Sequence, residues 1–150
     1  MVVTPPPVDL VPLFPGACTA DSFVVRAPLS FWGGVDPTTG KIVDPRHPDF
    51  GRRVTDKILL IPDTVGSSSS SAILLELLRN SVAPAGIILG GVDAILVLGN
   101  LVAQELGVAT IPMAYLHQMQ KMEFADGESW ELEVAGSTAS VRTCGRRYSD

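Results

Sequence analysis

Apolar residues fall into two patterns, and the chain switches between them along its length. Residues 57–61 (KILLI) and 86–89 (GIIL) are almost unbroken apolar runs. Strands covered on both faces read this way, and they belong to parallel sheets flanked by helices. Between these runs, residues 72–80 wrap Ile73, Leu74, Leu75, Leu77 and Leu78 around most of a helical circumference. Only Glu76, Arg79 and Asn80 form a polar side, so this helix is expected to be largely enclosed. Residues 93–106 read as a short strand or turn followed by a helix around 101–106. Residues 108–111 read as a third strand stopped by Pro112, as the first is stopped by Pro62. Strand, helix, strand, helix, strand predicts a small parallel α/β layer.

The flanking regions follow the other pattern. Residues 129–134 and 138–142 alternate apolar and polar positions around Ala135-Gly136-Ser137, which predicts a hairpin. Residues 23–27 (FVVRA) read as a strand. Residues 31–51 are crowded with Gly, Pro, Asp and Thr and predict ordered turns joined by a short strand at 41–43. The turn Asp36-Pro37-Thr38-Thr39-Gly40 ends on a glycine, as a tight hairpin requires. Residues 1–22, proline-rich up to Gly16, are expected to form an extended arm on a body spanning 23–150. The fold class is α/β: a β-rich start and finish around a small parallel centre.

Composition narrows the function. Of 150 residues, 46% are hydrophobic and 18% charged, which suits a packed core with part of the surface hidden against a partner. The net charge of −5 and the absence of any basic run longer than Arg146-Arg147 exclude nucleic acid as the expected ligand. Residues 83–109 are interrupted by Asp93 and Asn100, which argues against a membrane span. The proline-broken N-terminus carries no charged leader, so a cytoplasmic protein is expected. Cys18 and Cys144 form no CxxC pair and read as free thiols. With His47 and His117 they are too few and too scattered for a metal site built from this chain.

Candidate chemistry centres on DTVGSSSSSAILLELLRN, residues 63–80. Five consecutive serines, Ser67 to Ser71, follow Gly66 between a buried strand and an apolar helix. No lysine follows Gly66, which excludes a P-loop, and Ser70 breaks the Gly-x-Ser-x-Gly elbow. What remains is a helix N-terminus at the carboxyl end of a parallel strand. Unpaired amides and the helix dipole there favour an anion or a serine alkoxide, and ligands of α/β layers bind at that edge. One or two serines are expected to cap the helix. In the second block, FWGGVDPTTGKIVDPRHP, Gly33-Gly34 permit close backbone approach. Asp36 and Asp44 are expected to set turns, and His47 to be a hydrogen-bonded structural residue. Phe31 and Trp32 read as core or interface aromatics, and Asp93 and Asn100 as satisfying backbone near strand ends.

In order, LSFWGGVDPTTGKIVDPRHPDFG, ILLIPDTVGSSSSSAILLELLR, APAGIIL and GVATIP resemble the swivel domain of the aconitase X family. The resemblance implies a swivelling β/β/α fold and a separate small subunit of a hydro-lyase. It implies a large subunit holding iron or an iron–sulfur cluster, and a Gly-Ser-Ser loop whose first serine is the catalytic base. Carried onto this chain, the base is Ser67, with Gly66, Ser68 and Ser71 binding substrate. The chain departs from the family at Ser70, commonly a glycine, which stiffens the loop. Aconitase proper has an arginine where this chain has Ser69, which points to a substrate other than a tricarboxylate. The activities implied are dehydration of cis-3-hydroxy-L-proline to Δ1-pyrroline-2-carboxylate or, as the alternative, of mevalonate 5-phosphate. Read from residue chemistry alone, a non-catalytic anion-binding module or a structural scaffold stays open.

Overall fold

A computed structural model of the chain describes residues 5–117 and 124–144. The two apolar runs form β3 (Ile58–Ile61) and β4 (Gly86–Leu89), every residue buried and the two strands parallel. Between them runs α1 (Ser70–Arg79), starting two residues before the expected position. Then α2 (Ala94–Glu105) and β5 (Met113–Tyr115) complete the parallel centre. The alternating C-terminal segments form β6 (Ser129–Val134) and β7 (Ala139–Thr143), an antiparallel hairpin closed by the Ala135 amide donating to Thr138 O at 2.8 Å.

Several sequence expectations are corrected. Of the strand expected at 23–27 only Phe23 and Val24 are in a strand, the end of β2 (Gly16–Val24), which is preceded by β1 (Val8–Phe14). Residues 8–22 therefore lie in the sheet, and the expected boundary after residue 22 falls inside β2. The third strand is not at 108–111 but just past Pro112. Asn100 explains this: its side-chain nitrogen donates to Ile111 O at 2.6 Å, and its side-chain oxygen accepts from Ile111 N at 3.1 Å. Both ladder groups of Ile111 are thereby occupied by a buried side chain. The helix expected only around 101–106 starts at Ala94, because Asp93 Oδ1 accepts from the Ile95 and Leu96 amides and caps it. In place of the strand expected at 41–43, Lys41 and Ile42 make isolated bridges to Arg53 and Val35.

The seven strands close into a ring in the order β1-β5-β4-β3-β2-β6-β7. Strand periodicity divides the core in two. Ile58, Leu60, Ile88, Leu132, Val141 and Trp130 point into the ring. Leu59, Ile61, Ile87 and Leu89 point outward and pack with Leu74 and Leu77 of α1 and Leu96 and Ala103 of α2. Phe31, Val35, Ile42 and Val54 join that outer layer, which fixes the β2–β3 connection against α1. The β3, β4 and β2 strands are mutually parallel, so their carboxyl ends share one edge, and the loops that leave that edge build the site.

Candidate functional site

Three connections leave this edge. The first, after β2, carries FWGGVD. The second, after β3, carries the serines, and the third, after β4, is Gly90-Gly91-Val92-Asp93 leading into α2. Backbone bonds stitch them together: Leu29 N donates to Asp63 O at 3.2 Å, Val65 N to Leu29 O at 3.3 Å and Gly90 N to Ile61 O at 2.9 Å. A Cβ on Gly90 would lie 2.1 Å from Pro62 O, so this crossing admits only glycine.

Gly66 sits at the turn into the serine run with φ +155°, a conformation side-chain-bearing residues rarely adopt. A Cβ there would come within 2.9 Å of Ser30 Oγ and 3.3 Å of Ser70 Oγ. Ser30, whose hydroxyl donates to Trp32 O at 2.9 Å, therefore presses the FWGG block against the serine turn. Sequence reasoning missed Ser30, although it lies within the quoted LSFWGG block. On the other side, Ser70 is buried and its Oγ accepts from Trp32 N at 3.4 Å. As the first residue of α1 it has helical backbone, where glycine is not needed.

The expected side-chain cap is absent: the N-cap residue, Ser69, makes no such bond. Instead the Ser69 amide donates to Ser67 Oγ at 3.1 Å, and Ser70 N donates to Ser67 O at 3.0 Å. Ser67 is thus held from both its side chain and its carbonyl, half-buried, at the positive end of α1. Ser68 is exposed beside it, and Ser71 Oγ donates back to Ser68 O at 3.1 Å. Gly66, Ser67, Ser68 and Ser71 are therefore brought together in one turn. A donor aimed at Ser67 Oγ is the arrangement that stabilises negative charge on oxygen.

The second block contributes support rather than chemistry. Asp36 Oδ1 accepts from Thr38 N at 2.9 Å, which holds its carboxyl below the usual range, and Gly40 N donates to Asp36 O at 2.8 Å with Gly40 at φ +73°. Asp44 Oδ1 accepts from Arg46 N at 3.0 Å. His47 is buried, with Nδ1 accepting from Asp49 N at 3.0 Å and Nε2 3.2 Å from Ala27 O. Asp49 itself is fully buried. Burial alone would raise its carboxyl pKa, but the Arg26 amide and guanidinium and Arg52 Nη1 all donate to it and hold it below the usual range. Phe31 is core, whereas Trp32 is 55% exposed beside the serine turn.

Both cysteines are free, Cys18 half-buried and Cys144 exposed, and burial pushes the Cys18 thiol up to about 11. Among the described residues no group of three or more His, Cys, Asp or Glu could hold a metal ion. None of the described helices is long and apolar enough to cross a membrane.

Comparison with known proteins matches the family and the fold. Residues 9–142 match the family model described as the aconitase X swivel domain. The chain is 41% identical over 104 residues to a cis-3-hydroxy-L-proline dehydratase of Pseudomonas aeruginosa, a match covering 69% of this chain and 18% of that protein. Over 119 residues it is 43% identical to the phosphomevalonate dehydratase small subunit of Methanothermobacter thermautotrophicus, covering 79% of this chain and 86% of that subunit. Its structure is similar to that of Thermococcus kodakaraensis aconitase X in the holo-form. That match has a TM-score of 0.80 at 28% identity and covers 94% of this chain and all of the matched chain.

Proposed function

The chain belongs to the aconitase X swivel-domain family, and from that premise we propose that it is the small subunit of a hydro-lyase with Ser67 as its base. The observation that carries this reading is the Ser69 amide donating to Ser67 Oγ at 3.1 Å, at the N-terminus of α1. A serine hydroxyl is far too weakly acidic to act as a base in water. An aimed donor and a helix dipole lower the cost of its alkoxide in a site closed from solvent. Gly66, Ser68 and Ser71 frame the substrate around it.

The preferred substrate is cis-3-hydroxy-L-proline. Ser67 Oγ takes the proton on C2, and the electron pair left behind forms the C2–C3 double bond as the C3 hydroxyl departs. The product is an enamine that tautomerises to Δ1-pyrroline-2-carboxylate, so one water leaves. Support comes from charge: residues 28–36, 62–71 and 90–93 contain no Lys, Arg or His to pair with a phosphate, while Asp36 and Asp93 already accept turn and cap amides. Such an edge suits a ring ammonium better than a phosphate dianion. Mevalonate 5-phosphate is the second reading, favoured by the separate-chain relative that matches along 86% of its length.

The described residues do not form a metal-binding set. The iron or iron–sulfur cluster expected of the enzyme is therefore assigned to the large subunit, along with the acid that assists the leaving hydroxyl. Two free thiols fit a reducing compartment such as the cytoplasm. The test is the reconstituted pair of subunits assayed on both substrates. Ser67→Ala is expected to lower turnover by roughly 100- to 10,000-fold while the pair still assembles. Wild-type turnover in that variant would remove Ser67 as the base.

A further inference from the structure

Helix α2 is apolar on both sides. Leu96, Gly99, Asn100 and Ala103 face the core, and Gly99 lies so close to α1 that a Cβ would be 2.7 Å from Ser71 O. The opposite side should carry charge, as an outward helix face does. It carries one only: Glu105, exposed in the last turn of α2, is the single charged residue among the 12 and lies within the arc of apolar residues. Leu98, Leu101 and Val102, with Val92 before the helix and Leu106 after it, are between 37% and 65% exposed. At 3.6 residues per turn, Leu98, Leu101, Val102 and Leu106 fall within roughly 140° of arc. Isolated exposed hydrophobic residues are ordinary; a contiguous stripe with almost no charge on its helix marks an interface.

We infer that this stripe is where the large subunit docks, an inference that rests on the dehydratase reading above. Two features favour that occupant over a second copy of this chain. The stripe starts at the site edge, since Val92 follows the Gly90 whose amide donates to Ile61 O, where the serine connection begins. A partner that completes the site over Ser67 meets Val92 next and can continue along α2. In addition, the Pseudomonas aeruginosa relative matches this chain over only 18% of its length, so there the same fold has most of an enzyme to pack against. The partner face is expected to be aliphatic or aromatic and poor in charge, as in permanent interfaces.

The test uses the full chain co-produced with its large subunit, comparing the wild type with Leu98→Glu/Leu101→Glu. Val11→Glu, an exposed apolar position on β1, serves as control. The double variant is expected to weaken the complex on the order of 100-fold, because two carboxylates would be desolvated without partners. Its own unfolding temperature and circular dichroism should be unchanged. If the double variant does not fold, Leu101→Lys alone is read, with weakening of about tenfold expected. A wild-type complex that the variant preserves overturns this inference and leaves the dehydratase reading standing. Failure of the wild type to form any complex overturns both. A wild-type chain that is dimeric alone, and monomeric as the double variant, with the large-subunit complex unaffected, assigns the stripe to a second copy and overturns the inference.

Discussion

Replacing Gly66 with alanine tests how the serine turn is held. Two costs follow from the structure. At φ +155° the alanine occupies backbone space that is almost reserved for glycine, at about 1–3 kcal/mol. Its Cβ also meets Ser30 Oγ at 2.9 Å, a contact relieved by moving one hydroxyl and therefore worth about 1 kcal/mol. Together they come to about 2–4 kcal/mol, or a fall of about 4–16 °C in the unfolding midpoint for a chain of this length. The larger effect should be on chemistry. Moving the turn shifts Ser67 Oγ away from the Ser69 amide, and a misplacement of about 1 Å costs roughly 100-fold in turnover. A double-mutant cycle separates the two terms. In a Ser30→Ala background the hydroxyl is gone and the nearest remaining Ser30 atom is Cβ, 3.7 Å away, so only the contact cost should be recovered. Calorimetric unfolding of the chain and turnover of the reconstituted pair are the readouts. Gly66→Ala with wild-type stability and turnover would refute both the backbone argument and the tight placement of Ser67.

Two further outcomes follow. Asn100→Ala strips both backbone groups of Ile111 of their partner at a fully buried position, and should cost about 3 kcal/mol in urea unfolding; a loss below about 1 kcal/mol would show that β5 is not latched there. Asp49 has its carboxyl pKa held below the usual range, so its stabilisation is complete above the ordinary carboxyl value of 3.8 and is lost as pH falls through the lower folded value. Thermal midpoints of the wild type should therefore decline below about pH 4, while Asp49→Asn should begin about 2 kcal/mol lower at neutral pH and lose less on acidification.

The parallel centre was legible because its strands are covered on both faces. KILLI and GIIL leave no polar face to assign outward, and the chain offers nothing else that could bury them. The C-terminal hairpin was legible for the opposite reason, its strict alternation. What escaped detection depended on a single long-range contact. Nothing in VATIP shows that Asn100 occupies both backbone groups of Ile111, so the apolar pattern points to a strand before Pro112 rather than after it. AILVL carries a β-like apolar run, and nothing in it shows that Asp93 caps a helix there. In the proline-rich start, Pro12 lies in β1 beside a register irregularity, where its missing amide is tolerated. The site was legible as a junction, because strand, small residues and helix follow one another. The aimed Ser69 amide and the pressure of Ser30 on Gly66 are properties of the folded turn, beyond the reach of spacing.

The closed ring has a consequence for how such a chain is joined to others. Val8 pairs with Val141 on adjacent antiparallel strands, so the ladder is entered and left at one place. Among the described strands none is left with an open edge. A tether leading from Val8 or from Val141 would start from nearly the same point of the ring. Under the proposed function, fusing the chain to a large subunit or separating the two is therefore expected to leave the serine turn in place and to change the effective concentration at which they meet.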